Sequence, residues 1–255
     1  IDAAVKIAVD SPQGLLRTPQ TIQRLQRLPQ LPNQKPALSQ YFQYIIEKDS
    51  LNSYESIELA KIVLQKPGGV DYIKKLITEN KVESSEELGD IVAQFNNELA
   101  MKIYLTAKAH EKIINSLLSV GDYVRVLQYC QKVGYQPNYL DLFRRIVQLN
   151  PQVADKFAVM LNEKTETALD PNVVVDIFVQ SSLIKQATAY LLDYLKDDKA
   201  EHAELQTRLL KINLMYSPVQ VVQSILNQKL FSHYNKNEIA AMCEKVQLYQ
   251  YALDN

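Results

Sequence analysis

The chain has 255 residues, a formal net charge of −1, 10 prolines, only 6 glycines, 2 cysteines and no tryptophan. With 28 basic against 29 acidic side chains it has no field for holding a polyanion or an anionic membrane surface. Two cysteines cannot staple a chain of this length, no run approaches the ~18 apolar residues of a membrane span, and scarce glycine counts against phosphate-binding loops.

What is left is a folded chain, with 47% hydrophobic and 22% charged residues, that does not depend on disulfides and suits a reducing compartment. It opens Ile1-Asp2-Ala3-Ala4-Val5-Lys6-Ile7-Ala8, helical in composition but without an initiator Met, an N-cap or a signal-peptide pattern, and so reads as a piece starting inside a helix. Thr18-Pro19 is the first clear helix start, a capping side chain before a proline whose missing N–H costs nothing there. Leu28 to Pro36 holds Pro29, Pro32 and Pro36 and is expected to be an extended surface connection.

From there the apolar residues recur at i, i+3, i+4 and i+7. Leu88, Ile91, Val92 and Phe95 fit this template, as do Ala100, Ile103, Tyr104 and Ala107, and Tyr123, Val126, Leu127 and Cys130. Tyr139, Leu142, Phe143 and Ile146 follow, then Ala187, Tyr190, Leu191 and Tyr194. Ser84 with Glu87 reads as a capping box, Gly121 and Gly134 as helix stops, and Asp170-Pro171 and Ser217-Pro218 as capped starts. Soft boundaries fall at 163–167 and, more weakly, at 197–201. No long alternation competes, so strands are not expected.

These signals predict about fifteen helices, starting near residues 18, 37, 53, 69, 84, 97, 110, 122, 138, 151, 170, 182, 202, 217 and 236, each roughly 10 to 14 residues long. Short connections make neighbours antiparallel, and a hairpin of about 30 residues is the period of helical repeat proteins. The expected fold is all-α: an irregular α-solenoid, or α-zigzag, of short antiparallel helices in hairpins. Neither the tetratricopeptide nor the ankyrin consensus is present.

No catalytic, cofactor-binding or metal site emerges. His110, His202 and His233 lie far apart near helix boundaries, and His110-Glu111 fails as a zinc-protease helix because Ile114 stands where the second histidine belongs. Cys130 and Cys243 read as buried, inert thiols. Glu83, Glu86, Glu87 and Asp90 read as a solvated helix start rather than an acid–base pair. Arg24 with Arg27, Lys74 with Lys75 and Arg144 with Arg145 remain isolated pairs, not a phosphate-tracking stripe. The 15 tyrosines suit the wet edges of a thin core, with a tyrosine-lined binding groove as the sharper alternative.

Several strings together resemble the clathrin heavy chain family. They are Gly14-Leu15-Leu16-Arg17-Thr18-Pro19, Tyr54-Glu55-Ser56-Ile57-Glu58-Leu59, Ser85-Glu86-Glu87-Leu88-Gly89-Asp90, Lys132-Val133-Gly134-Tyr135, Leu205-Gln206-Thr207-Arg208-Leu209-Leu210 and Cys243-Glu244-Lys245. They run in order from end to end. The chain departs from the family at Gln247, where a glycine usually ends a helix, and in lacking tryptophan.

The resemblance implies a helical zigzag linker and start of a leg over 1–160, then an incomplete first clathrin heavy chain repeat over 161–255. It further implies a cytoplasmic, non-enzymatic coat segment working by leg-to-leg self-assembly. Trimerisation, most light-chain contact and most adaptor binding would belong to regions outside these residues, with no nucleic acid and no direct membrane insertion. A helical-repeat module of a vacuolar-sorting or tethering complex is the alternative reading.

Overall fold

The computed structural model describes residues 2–29, 35–164 and 169–254. Among them are seventeen α-helices, three 3₁₀ turns and no strand, so the all-α expectation holds. The one departure from helix pairing is an isolated parallel bridge between Leu51 and Val82.

Two compact units divide between Val120 and Gly121. The first contains α1 (Asp2–Val9), α2 (Pro19–Arg27), α3 (Ala37–Lys48), α4 (Ser53–Val63), α5 (Gly69–Thr78), α6 (Glu86–Ala93), α7 (Asn97–Ala107) and α8 (His110–Ser119). The second contains α9 (Tyr123–Val133), α10 (Tyr139–Leu149), α11 (Ala154–Lys164), α12 (Pro171–Gln180), α13 (Ile184–Tyr194), α14 (Ala203–Tyr216), α15 (Val219–Asn227), α16 (Lys236–Lys245) and α17 (Tyr249–Asp254). Within each unit a helix touches the next or the next but one, as α4 does with α5 and α6, and α14 with α15 and α16. That is how stacked hairpins bury one apolar face each on their neighbours.

The predicted stripes form the core. Leu88, Val92, Ile103, Tyr104, Val126, Leu127, Cys130, Phe143, Ile146, Tyr190 and Leu191 are all buried. Each such side chain contributes about 1.5–3 kcal/mol by leaving water. Phe95 is exposed, because α6 ends at Ala93 and the template overran it. Gly89 in α6 permits the tightest helix approach: a Cβ there would lie 2.2 Å from Cε1 of Tyr104 on α7.

The caps agree at Thr18, whose side chain accepts from the Thr21 amide, and at Asp170, whose carboxylate accepts from the Asn172 amide. Two cap assignments are corrected. Ser85, not Ser84, caps α6, accepting from the Leu88 amide, so Glu87 closes no capping box. Ser217 caps nothing with its side chain; it bonds Asn213 at the end of α14, and α15 starts after Pro218.

The reading near residue 151 meets a 3₁₀ turn, Pro151–Val153, before α11. The boundary expected at 163–167 falls partly on α11, which continues through Lys164; 165–167 lie outside the described residues. Of the proline-rich connection, Leu28 and Pro36 are extended and 30–34 lie outside the described residues. The helix α17 was not expected.

Candidate functional site

The chemistry-bearing side chains gather where one hairpin meets the next. In the first unit the focus is Glu55, in the first turn of α4. Asn52 caps that helix: its side chain accepts from the Glu55 amide at 2.9 Å, and Glu55 Oε2 accepts from the Asn52 amide at 2.9 Å. This reciprocal arrangement is a capping box. The same carboxylate accepts from Arg17 Nε at 3.1 Å and Arg17 Nη2 at 2.6 Å, and from the Tyr41 hydroxyl at 2.6 Å.

Arg17 also reaches Asp49 Oδ2 at 2.8 Å and the Ser50 carbonyl at 2.6 Å. The arginine side chain is 13% exposed and that of Glu55 1%. A bidentate fork with every acceptor site answered is the geometry in which a buried pair holds. Its hydrogen bonds to Glu55 push the Arg17 guanidinium further up, and burial pushes up the Tyr41 phenol.

A second strand of contacts runs from the same place. The Leu51 amide donates to the Lys81 carbonyl at 2.8 Å, and the Glu83 amide to Ser56 Oγ at 3.0 Å, so the α5–α6 connection is tied to the start of α4. An open cavity of about 420 Å³ lies over this clasp, lined by Gln13, Arg17, Asp49, Asn52, Asn80 and Glu83 among others. Of its polar groups, Arg17 pairs with Asp49, and the Asn52 side chain donates to the Arg17 carbonyl and accepts from the Glu55 amide, so the lining joins the segment before α2 to the start of α4.

The acidic cluster at α6 serves a similar end. Asp90 accepts from the Tyr104 hydroxyl and from Lys112 Nζ, both at 2.8 Å, and Glu86 lies 3.5 Å from the same lysine. These bonds join α6 to α7 and α8. The Tyr104 phenol is pushed up by burial and by its bond to Asp90.

In the second unit Asp198 sits between α13 and α14 with backbone φ of 45°. It accepts from Gln206 Nε2 at 2.8 Å, the Ser232 amide at 3.0 Å and the Ser232 hydroxyl at 2.6 Å. Those bonds from Ser232 hold its carboxyl below the usual range. Gln206 Oε1 accepts from the His233 amide, and Thr207 Oγ1 from the Asn235 amide. Arg208 donates to Asn172 and pairs with Asp176. The string from Leu205 to Leu210 is thus the seam that ties α14 to α12 on one side and to the loop before α16 on the other.

The histidines stay on separate elements: His110 opens α8, the His202 ring lies tilted beside that of Tyr194 with centroids 5.2 Å apart, and His233 lies in the loop before α16. Cys130 and Cys243 are buried and free, and burial pushes the Cys243 thiol up. Among the described residues no three His, Cys, Asp or Glu side chains converge as a metal site, and no helix is long and apolar enough to cross a membrane.

The basic pairs lie on α2, α5 and α10, with Lys75 near Glu79 and Arg144 near Asp141. Tyr190 and Tyr194 join a ladder of rings, Phe143–Phe178–Tyr190–Tyr194, with centroids 5.3, 6.3 and 5.9 Å apart. Asn162 donates to the Tyr190 hydroxyl at 3.0 Å. Sequence reasoning missed the Arg17–Glu55 pairing; the one local signal was Asn52 three residues before Glu55, a capping-box spacing.

Two family models match the chain: Clathrin-H-link over residues 1–45, and the region in clathrin and VPS over residues 162–253. Clathrin heavy chain 1 of Oryza sativa subsp. japonica is 41% identical over 99% of this chain and 15% of its own length. Clathrin heavy chain of Drosophila melanogaster is 42% identical, and clathrin heavy chain 2 of Homo sapiens 39%, each again over 99% of this chain and 15% of the relative. The chain therefore spans about 15% of the length of these curated relatives.

Proposed function

Because the chain belongs to the clathrin heavy chain family, we propose that it is a mechanical element: a stretch of leg in a self-assembling vesicle coat. The observation that supports this most is the similarity that runs through 99% of the chain to proteins named clathrin heavy chains. In this reading residues 1–160 are the helical zigzag linker and the start of the leg, and 161–255 an incomplete first repeat. The family model that begins at residue 162 supports the division.

The segment works without catalysis, on the cytoplasmic face of coated vesicles and pits, with other heavy chains as its main partners. Hairpins that touch only near neighbours spread bending over many small interfaces, which suits a leg that fits cages of differing curvature. Many weak leg-to-leg contacts then add up through avidity. A net charge of −1 leaves little repulsion between packed copies.

The test is assembly of a full-length heavy chain carrying this segment in its corresponding place, followed by light scattering and sedimentation. Closed cages at wild-type yield are the expected result. A chimera that folds and trimerises but forms no coat would overturn the reading.

A further inference from the structure

We propose that Thr78, the last residue of α5, is a phosphorylation site for a kinase that reads basic residues ahead of its target, and that the phosphate releases the joint between the α5–α6 connection and α4. Three basic pairs stand out in the sequence without a role in the fold: Arg24 with Arg27, Lys74 with Lys75 and Arg144 with Arg145. Only Lys74-Lys75 is followed within four residues by a hydroxyl side chain, in the string Lys74-Lys75-Leu76-Ile77-Thr78.

The structure leaves that string open to an enzyme. Ile73 and Leu76 bury the inner face of α5, whereas Lys74, Lys75, Thr78 and Glu79 are exposed. The lysines stand four and three residues before Thr78, so they lie one turn back on its own side of the helix. The helix ends at Thr78 and the chain turns away through Asn80, with φ of 53°, so the target sits where local opening is easiest. Thr106 on α7 has the same geometry, its hydroxyl donating to the Lys102 carbonyl at 3.0 Å. There a single lysine stands ahead of the hydroxyl, and it pairs with Glu98 at 3.2 Å.

The kinase transfers the γ-phosphoryl group of a nucleoside triphosphate. The Oγ1–P bond forms as the bond to the departing diphosphate breaks, and the hydroxyl proton passes to the kinase's base. Thr78 Oγ1 now donates to the Lys74 carbonyl at 2.9 Å, a bond that the ester oxygen cannot make. The phosphate also stands at the negative end of α5 beside Glu79, which disfavours the last turn; Lys74 and Lys75 offset part of that charge.

Three residues on, Lys81 is the cation of the joint. Its Nζ donates to the Asp49 carbonyl at 3.1 Å, and its own carbonyl accepts from the Leu51 amide at 2.8 Å. Fraying of α5 displaces this residue and the phosphate competes for its ammonium, so both effects weaken one tie. The proposal stands apart from the coat reading, because both of its readouts are taken on the chain alone.

The test treats the chain with magnesium ATP and a purified basic-directed kinase, with an acid-directed kinase as control, and maps the phosphate by mass spectrometry. Phosphate on Thr78 from the first enzyme only is expected. Lys74→Gln with Lys75→Gln, both exposed, should keep its helical circular dichroism and slow the transfer about tenfold. In the phosphorylated chain the Leu51 and Glu83 amides, which donate across the joint, should exchange about tenfold faster, while those around Ser232 stay unchanged. No phosphate at Thr78, equal transfer to Thr106, or a rate indifferent to the two lysines would overturn the site. Unchanged exchange at Leu51 and Glu83 would overturn the release.

Discussion

A carboxylate with 1% of its side chain exposed persists only if its charge is answered, and Glu55 is answered by the Arg17 fork, the Tyr41 hydroxyl and the Asn52 amide. Glu55→Gln turns one acceptor into a donor that faces the guanidinium and leaves Arg17 buried without its counter-charge. The expected loss is about 3–5 kcal/mol, the range for breaking a buried pair by removing one partner. Glu98→Gln, whose ion pair with Lys102 is solvent-exposed, should stay within about 0.5 kcal/mol. Urea unfolding of the two variants beside the parent checks this; equal midpoints would mean that the clasp carries no stability. The two halves of this clasp stand in separate strings, Gly14–Pro19 and Tyr54–Leu59, each legible as family-like. Their pairing was not legible, because helical periodicity sorts residues by face and says nothing about a partner 38 positions away.

Helix ends separate what the sequence announces from what it conceals. At Gly134 the chain takes φ of 67° and the Tyr135 amide donates back to the Cys130 carbonyl, the closure that a glycine advertises. The same closure recurs without glycine at Asn80, Lys108, Ser182 and Gln247, where the following amide donates to Leu76, Tyr104, Phe178 and Cys243 respectively. Fourteen of the fifteen starts were readable to within two residues because caps and prolines mark starts, the exception being α11 behind its 3₁₀ turn, and three of these four stops were bracketed by the next start. Only at Gln247 did nothing follow to reveal the break, and so α17 was missed. The left-handed conformation costs a side-chain-bearing residue about 1–2 kcal/mol, partly offset by the unfolded-state entropy that glycine adds. Gln247→Gly should therefore stabilise the α16–α17 junction by about 0.5–1 kcal/mol. Amide exchange of Leu248 and its neighbours slowed by that amount is the expected readout; faster exchange would mean that the glutamine side chain contributes contacts worth more than the strain.

Among the described residues the shifted groups all move away from neutrality. Asp49 and Asp198 are lowered, the first by the Ser50 amide and Arg17, the second by Ser232; Arg17, Lys48 and Lys112 are raised, and so are the buried tyrosines. A carboxylate whose folded pKa is depressed stabilises the fold fully above its unfolded value, about 3.9. That contribution drains away as pH falls from about 5 through the folded value, since the unfolded chain then binds more protons. Each unit holds one such joint, Asp49 beside the Arg17 clasp and Asp198 in the seam at Gln206, so both should loosen on acidification below about pH 4. Asp198→Asn keeps an acceptor oxygen but removes the titration. In hydrogen exchange followed from pH 7 to 3, it should flatten the acid response of amides around Ser232 and Gln206 while those around Asn52 and Glu55 still loosen. If the two sets of amides lose protection together in the variant, acid acts through a global transition and not through these two joints.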